Sequence, residues 1–363
     1  MSTIVYSNSF TFRLQSKDKI LYFRIMVLLR KILFPFAIVY GLITSLRNLL
    51  FDKGILKSYL FDLPVIVVGN LSVGGTGKTP QIEYLIRLLS PDYKVATLSR
   101  GYKRQSKGFV LADENDDATT LGDEPFQYYS KFPQIKVSVD TDRRNGIEQL
   151  LSLPEKPDVI LLDDAYQHRK VKAGFYILLT SYGDLYADDY MLPTGNLREN
   201  RRGARRANVI IVTKCPPELS VQEQEKIRLK LNISNEQQLL FSYINYDDSV
   251  YSDKESKQVK QLINADKLLV AGIAKPGPFF KYLQRDGDQV LTFPDHHRFS
   301  NKDITDIRDK GTDKIIITTE KDYVRLKDNM EREQLFYLPI KSEFLFNKDN
   351  FDKAILNYVR EKS

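Results

Sequence analysis

The chain of 363 residues has one cysteine, three histidines and no apolar stretch of the length that marks a confident membrane span. Each scarcity excludes something. A single thiol, Cys215, rules out a disulfide framework within the chain and suits a reducing compartment. It stands in "VTKCPP", just past a strand-like run, with nothing beside it that resembles a catalytic base, so it reads as core or loop filler. His168 has no cysteine or second histidine nearby to complete a metal set, and the adjacent His296 and His297 point in different directions. There is no internal repeat and no low-complexity tract. No short basic start, apolar segment and small-residue site follow one another, so cleavage by signal peptidase is not expected.

What is present describes a folded protein of more than one core. Hydrophobic residues make up 42%, aromatic residues 11% and charged residues 28%. The net charge of +7 suits an anionic partner such as phosphate, nucleic acid or membrane, without choosing among them. Ile32 to Leu46, "ILFPFAIVYGLITSL", is apolar and uncharged, and Arg24, Arg30, Lys31, Arg47, Lys53 and Lys57 surround it. Apolar residues with cationic flanks suit a helix lying in or dipping into an anionic membrane surface; a core helix of a soluble domain is the alternative. Residues 1–24 are polar and irregular and read as an extension, with Met26 at the start of the apolar pattern.

The most informative stretch is "VIVVGNLSVGGTGKTP", Val65 to Pro80. It reads as a buried strand, a glycine-rich turn and a helix that opens with Lys78 and Thr79. Backbone N–H groups in such a turn cradle phosphate oxygens, and the helix N-terminus adds positive potential. The cradle is Ser72, Val73, Gly74, Gly75, Thr76, Gly77, Lys78 and Thr79, where Lys78 reaches the β/γ-phosphates and Thr79 holds Mg²⁺. Ser72 occupies the position of the first glycine in the usual pattern.

Around this loop the pattern alternates short apolar runs with helices. "KVATLSRGY", "IKVSV", "PDVILLDD", "AGFYILLTS" and "ANVIIVTK" are strands. This predicts an α/β fold: a P-loop NTPase-like parallel sheet with helices on both faces and ligands at the carboxyl ends of the strands. From about Tyr246 to Lys260 the chain is polar and reads as a linker to a second, smaller α/β domain. The expected division is 1–60 as a membrane-docking segment, 61–246 as the phosphate-loop domain and 247–363 as the second domain.

Four further constellations carry chemistry. Asp163 and Asp164 end a buried strand in "VILLDDAYQH" and are candidates to coordinate Mg²⁺, with capping of the next turn as the alternative. His168, four residues on, reads as a loop-orienting or substrate residue. Asp123 and Glu124 precede Pro125 in "LGDEPFQYY" and either cap a helix or supply a general base. "PDHHRFS" offers a histidine that could pair with a carboxylate from another loop. "MLPTGNLRENRRGARR" joins a Pro/Gly loop bearing Arg198 and Glu199 to four further arginines, whose guanidinium forks suit phosphate.

Together "VGNLSVGGTGKTP", "LSRGYKR", "GDEP", "DDAYQHR", "LPTGNLRE", "DHHRFS" and "TTEKDYVRL" resemble one family, the tetraacyldisaccharide 4′-kinases, the lipid A 4′-kinases of Gram-negative bacteria. The motifs follow the family's order from the apolar N-terminal segment to about residue 326. The resemblance implies ATP and Mg²⁺ as cofactors, and a tetraacyldisaccharide 1-phosphate as the acceptor. It implies a peripheral or monotopic place on the cytoplasmic face of the inner membrane, and an anionic membrane surface as partner in place of nucleic acid. Carried over residue by residue, Asp123 is the general base, His296 its partner in a dyad, and Lys78 the catalytic cation. Thr79, Asp163, Asp164 and Glu199 serve the metal and phosphate region; Tyr102, Glu124, His168 and Arg198 meet substrate. Asn200 stands where the family usually has proline, and Tyr166 where glycine or phenylalanine is commoner.

Two other readings compete. Partition-type ATPases carry an extra lysine before the double glycine, where this chain has Val73. A guanine reader would need aspartate where Pro216 stands. A membrane-associated P-loop regulator without transfer chemistry would have no use for "GDEP" and "DHH".

Overall fold

The computed structural model describes residue 30 and residues 32–295, 297–331 and 333–362; His296 therefore lies outside the described residues, as do residues 1–29 with Arg24 and Met26, and Lys31. The chain divides into two compact units. The first comprises the described residues up to Ile244 and those from Ser342 on; the second is Asn245–Lys341.

In the first unit α1 (Phe34–Asp52) precedes β1 (Val65–Asn70), α2 (Lys78–Leu89), β2 (Val95–Ser99), β3 (Val110–Leu111), α3 (Ala118–Leu121), α4 (Asp123–Lys131), β4 (Lys136–Val139), α5 (Arg143–Leu151), β5 (Val159–Asp163), β6 (Phe175–Ser181), β7 (Val209–Thr213), α6 (Val221–Leu231) and β8 (Gln238–Tyr246). The strands run in the order β8-β7-β6-β1-β5-β2-β4-β3. From β8 to β4 every pairing is parallel, and β3 closes the edge antiparallel to β4. β1 is buried throughout. Val65 and Val67 enter one core while Ile66 and Val68 enter the other, because successive side chains of a strand point to opposite faces. A strand with both faces covered must be apolar at every position, which is why "VIVV" shows no alternation. α2 covers β1 with Ile82, Leu85, Ile86 and Leu89, whose spacing makes one helical stripe.

In the second unit β9 (Ser249–Tyr251), β10 (Ser256–Gln258), β11 (Lys267–Ala271), α7 (Gly277–Leu283), β12 (Gln289–Thr292), α8 (Asn301–Gly311), β13 (Ile315–Thr319), α9 (Glu320–Leu326) and β14 (Leu335–Leu338) build a sheet in the order β10-β9-β14-β13-β11-β12. The polar segment read as a linker is in fact a hairpin: β9 and β10 pair antiparallel about a turn closed by Ser252 N–H donating to Glu255 O (2.8 Å). β10 is the edge strand and stays polar, while β9, paired on both sides, buries only Val250.

The sequence boundary at the C-terminal side also needs correction. β15 (Ile340–Phe344) joins β8 at the edge of the first sheet, and α10 (Lys348–Lys362) packs into the first unit's core through Phe351, Ile355 and Val359. Tyr358 fixes it, its hydroxyl accepting from Val65 N–H (3.1 Å) and donating to Val65 O (3.2 Å) at the start of β1.

α1 is 19 residues, long and apolar enough to cross a membrane by length and composition, and mostly exposed. It extends six residues beyond the uncharged run, through Arg47 and Asp52. Phe36, Val39, Leu42, Ile43 and Leu46 face outward; Ala37 and Thr44 are buried.

Candidate active site

β1 ends at Asn70, the chain turns through residues 71–77, and α2 starts at Lys78. Gly74 and Gly77 have φ of 115° and 85°, a region that glycine enters at no steric cost. A Cβ on Gly77 would lie 3.7 Å from Thr213, so backbone conformation, and not crowding, reserves that position for glycine. Ser72 needs no such freedom. It forms an antiparallel bridge with Leu197, flanked by Val73 N–H donating to Asn196 O (2.8 Å) and Arg198 N–H to Leu71 O (2.7 Å). The segment 196–198 thus runs as a short strand beside the loop and delivers Arg198 to it. On its other side the loop is held by Thr213 Oγ1 donating to Thr76 O (2.8 Å) and by Lys214 Nζ donating to Gly75 O.

Asp163 closes β5, and Asp164 follows with φ of 49°. That left-handed step separates the two carboxylates. Asp164 turns toward cations: Arg198 Nη2 lies 2.7 Å and Lys78 Nζ 3.7 Å from its Oδ1. Burial alone would raise Asp164, but Lys78, Arg198 and Arg143 override it and hold the carboxyl down at about 2. The same Arg198 guanidinium donates to Asn70 O (3.2 Å) and Asn70 Oδ1, while Asn70 Nδ2 donates to Thr76 Oγ1 (2.9 Å). Strand end, phosphate loop and acidic pair are therefore tied into one body by one arginine.

Asp163 is buried, 6% exposed. Its Oδ2 accepts from Tyr128 Oη (3.3 Å) and weakly from Ser99 Oγ (3.5 Å), and its Oδ1 is buried with no partner. Burial pushes this carboxyl up to about 7 against the lowering charge of Lys78, with Asp164 and Glu124 adding to the rise. A buried, unpartnered carboxylate oxygen beside the hydroxyl of a phosphate-loop threonine is the donor set of a hard cation, and Mg²⁺ fits it. Thr79 belongs to the same cluster, since its side chain hydrogen-bonds Tyr128. Among the described residues no group of three His, Cys, Asp or Glu could hold a metal by itself, as expected where phosphate oxygens and water complete the shell.

A prediction follows from the raised carboxyl. A folded-state value above the ordinary 3.8 means that ionised Asp163 destabilises the metal-free fold. The cost is absent below about pH 4, grows as pH rises toward about 7 and is constant above. Asp163→Asn should therefore raise the melting temperature of the metal-free protein at pH 8, with a gain that shrinks toward about pH 4, and should abolish the further stabilisation by Mg²⁺. A variant that melts below the wild type at pH 8 would contradict the assignment.

Glu199 follows Arg198 on the same loop. It is fully buried and both oxygens are engaged: Arg206 Nη2 donates to Oε1 (2.8 Å), Gln167 Nε2 to Oε1 (2.9 Å) and Asn48 Nδ2 to Oε2 (2.8 Å). A buried ion pair and two amides hold it beside Arg198. Asn200 caps the turn Arg201–Arg206 by accepting from Arg202 N–H (3.0 Å), and Tyr166 Oη donates to Gly203 O (2.9 Å), so both departures from the family pattern have local partners.

Sequence reasoning missed Arg143. It opens α5 from the carboxyl end of β4, is buried, and donates to Asp140 O (3.1 Å) and Thr141 O (3.2 Å). Burial lowers it to about 10, and Asp163 and Asp164 are close enough to act on its charge. His168 lies beside it. Burial, helped by Arg143, lowers this imidazole to about 4, so His168 is neutral near pH 7 and can orient a ligand but not neutralise one. Its Nε2 is 3.9 Å from Asp142 Oδ1.

Asp123 and Glu124 form the first turn of α4, just after Gly122. Glu124 lies near enough to Asp163 to raise it. Gly122, with φ of 93°, is pressed against the backbone of the Tyr102 loop, where a Cβ would meet Tyr102 O at 3.1 Å. Tyr102 itself is exposed. In the second unit His297 has a structural partner: its Nε2 is 3.0 Å from Asp303 Oδ2, the carboxylate that also accepts from Ser300 at the start of α8. Cys215 is buried, and burial pushes its thiol up to about 12, which leaves it inert.

A phosphate loop opening a helix, an acidic strand end behind it and an arginine clamp define a P-loop nucleotide-binding protein built for ATP with Mg²⁺. The chain belongs to the tetraacyldisaccharide-1-P 4′-kinase family, whose model matches residues 29–360. A tetraacyldisaccharide 4′-kinase of Flavobacterium johnsoniae is 67% identical over 336 residues, covering 93% of this chain and 99% of the relative. The enzyme of the same name from Bacteroides thetaiotaomicron is 45% identical over 359 residues, covering 92% and 94%. Among solved structures, LpxK from Aquifex aeolicus in complex with ATP superposes with a TM-score of 0.74 at 32% identity, covering 91% of this chain and 99% of that one.

Proposed function

We propose that this chain transfers the γ-phosphoryl group of ATP to the 4′-hydroxyl of a tetraacyldisaccharide 1-phosphate, giving the 1,4′-bisphosphate. The observation that carries the reading is the phosphate loop locked to the acidic pair through Arg198, in a chain of this family. The loop's N–H groups and Lys78 hold the triphosphate; Thr79 and Asp163 hold Mg²⁺, which when bound draws charge from the phosphate oxygens. Arg198 and Asp164 fix the loop's shape. Asp123 accepts the proton of the sugar hydroxyl, assisted by His296, as the new O–P bond forms and the bond to ADP breaks. Tyr102, Glu124 and His168 lie toward the acceptor.

Residues 1–60 form the membrane-docking segment. The exposed apolar face of α1, with Arg47, Lys53, Lys57 and the exposed arginines 201, 202 and 205, suits an anionic lipid surface better than nucleic acid. ATP places the site on the cytoplasmic face. Purified protein incubated with ATP, Mg²⁺ and a tetraacyldisaccharide 1-phosphate should yield the 1,4′-bisphosphate by mass spectrometry. ATP hydrolysis without bisphosphate would instead favour a nucleotide-dependent regulator.

A further inference from the structure

The face of α1 that turns inward carries polar groups beside the buried Ala37. At positions 40, 41, 44 and 48, one stripe at helical spacing, stand Tyr, Gly, Thr and Asn. Two of them bond to the loop that carries Arg198. Tyr40 Oη donates to the carbonyl of Arg198 (2.9 Å), and Asn48 Nδ2 donates to Glu199 Oε2 (2.8 Å). From Arg198 the connection runs through its guanidinium to Asn70, and from Asn70 Nδ2 to Thr76 in the phosphate loop. From Glu199 it runs through Gln167 Nε2, which donates to both Glu199 Oε1 (2.9 Å) and Asn70 O (2.9 Å). Two independent hydrogen-bonded paths thus leave one face of α1 and meet at Asn70, the last residue before the phosphate loop.

We propose that Tyr40 and Asn48 are positioning residues that set the nucleotide site through residues 198 and 199, so that the seating of α1 on a lipid surface and the binding of ATP are coupled. The inference rests on the kinase reading for its turnover measurement only. An anchor that merely held the protein at the membrane would need no polar bonds to the loop, because its apolar outer face would suffice. Coupling is reciprocal: if seating α1 tightens the site, bound ATP tightens the seating by the same factor.

The test uses the full chain with Tyr40→Phe, Asn48→Ala and Arg198→Ala. Three readings are taken: ATP affinity in detergent without lipid substrate, kcat on the acceptor, and partition onto vesicles of phosphatidylglycerol and phosphatidylethanolamine. Tyr40→Phe and Asn48→Ala should each weaken ATP binding about three- to tenfold, the worth of one hydrogen bond, and lower kcat by a similar factor with partition unchanged in the absence of nucleotide. In the Arg198→Ala background Tyr40→Phe should have no further effect, because its path runs through that residue. Unchanged ATP affinity, a loss confined to partition or to KM for lipid, or additive losses with Arg198→Ala would each overturn the proposal. Asn48→Ala removes one of the two donors to the buried Glu199 Oε2, leaving Arg206 Nη2 (3.0 Å); if that variant does not fold, Tyr40→Phe, which deletes one hydroxyl and keeps the ring, decides alone. ATP affinity needs no acceptor, so the proposal can fail while wild-type bisphosphate formation stands, and the reverse.

Discussion

Replacing Lys78 by alanine should lower turnover by about 10²–10³-fold while leaving the protein folded, because it deletes a preorganised cation that meets charge developing on the transferred phosphoryl group. Lys78 is the first residue of α2, partly exposed, with Asp164 3.7 Å from its ammonium. Its removal takes nothing from either core, so the melting temperature should change little. It also acts on the carboxylates. Lys78 lowers both Asp163 and Asp164, so without it Asp163, already at about 7, rises further and retains its proton through neutral pH. The variant should therefore need higher pH as well as more Mg²⁺ to recover its residual rate. Turnover within a few-fold of wild type would remove the phosphate loop from the mechanism.

Asp123→Asn and His296→Ala should each depress kcat far more than ATP affinity, and the double variant should be little worse than the poorer single. A sugar hydroxyl is a weak acid, and general base catalysis contributes on the order of 10²–10⁴-fold. Residues that act as one unit give non-additive losses. Asp123 stands in the first turn of α4, where a carboxylate also suits the positive end of the helix, so the two roles separate in kcat against stability. His297 is held by Asp303 and stacks on Phe293, ring centroids 5.0 Å apart, so it has a local role that does not depend on Asp123. The measurement is the full double-mutant cycle in kcat, with His297→Ala as the control expected to lose stability in place of turnover. Additive losses from Asp123 and His296 would rule out a shared role.

The phosphate loop was legible because its backbone demands particular residues: left-handed conformation at Gly74 and Gly77 leaves a glycine signature that no packing can disguise. The acidic strand end was legible for a similar reason, since two carboxylates closing an apolar run have few structural uses. Their division of labour was not. It depends on the left-handed step at Asp164 and on which cations lie nearby, and Arg198 arrives from a residue 34 positions away. The partners of Glu199 were not legible, because Asn48, Gln167 and Arg206 are scattered along the chain and no local pattern reveals that they engage its oxygens. Arg143 escaped notice because a buried arginine and a surface arginine look alike in "DRRNG". The β9–β10 hairpin was hidden by its polarity, which the edge position of β10 permits.

The return of residues 342–362 to the first unit has a consequence for how the protein is made. A ribosome delivers α1, the phosphate loop and β8 early, then the whole of Asn245–Lys341, and only afterwards β15 and α10. Until α10 emerges, Phe351, Ile355 and Val359 are missing from the core behind β1, and Val65 lacks the Tyr358 hydroxyl. The nucleotide site is therefore completed late in synthesis, after the apolar helix has had time to find a bilayer. Nascent chains halted before residue 342 expose unfinished sheet to the cytosol, and quality-control proteases would recognise them as incomplete.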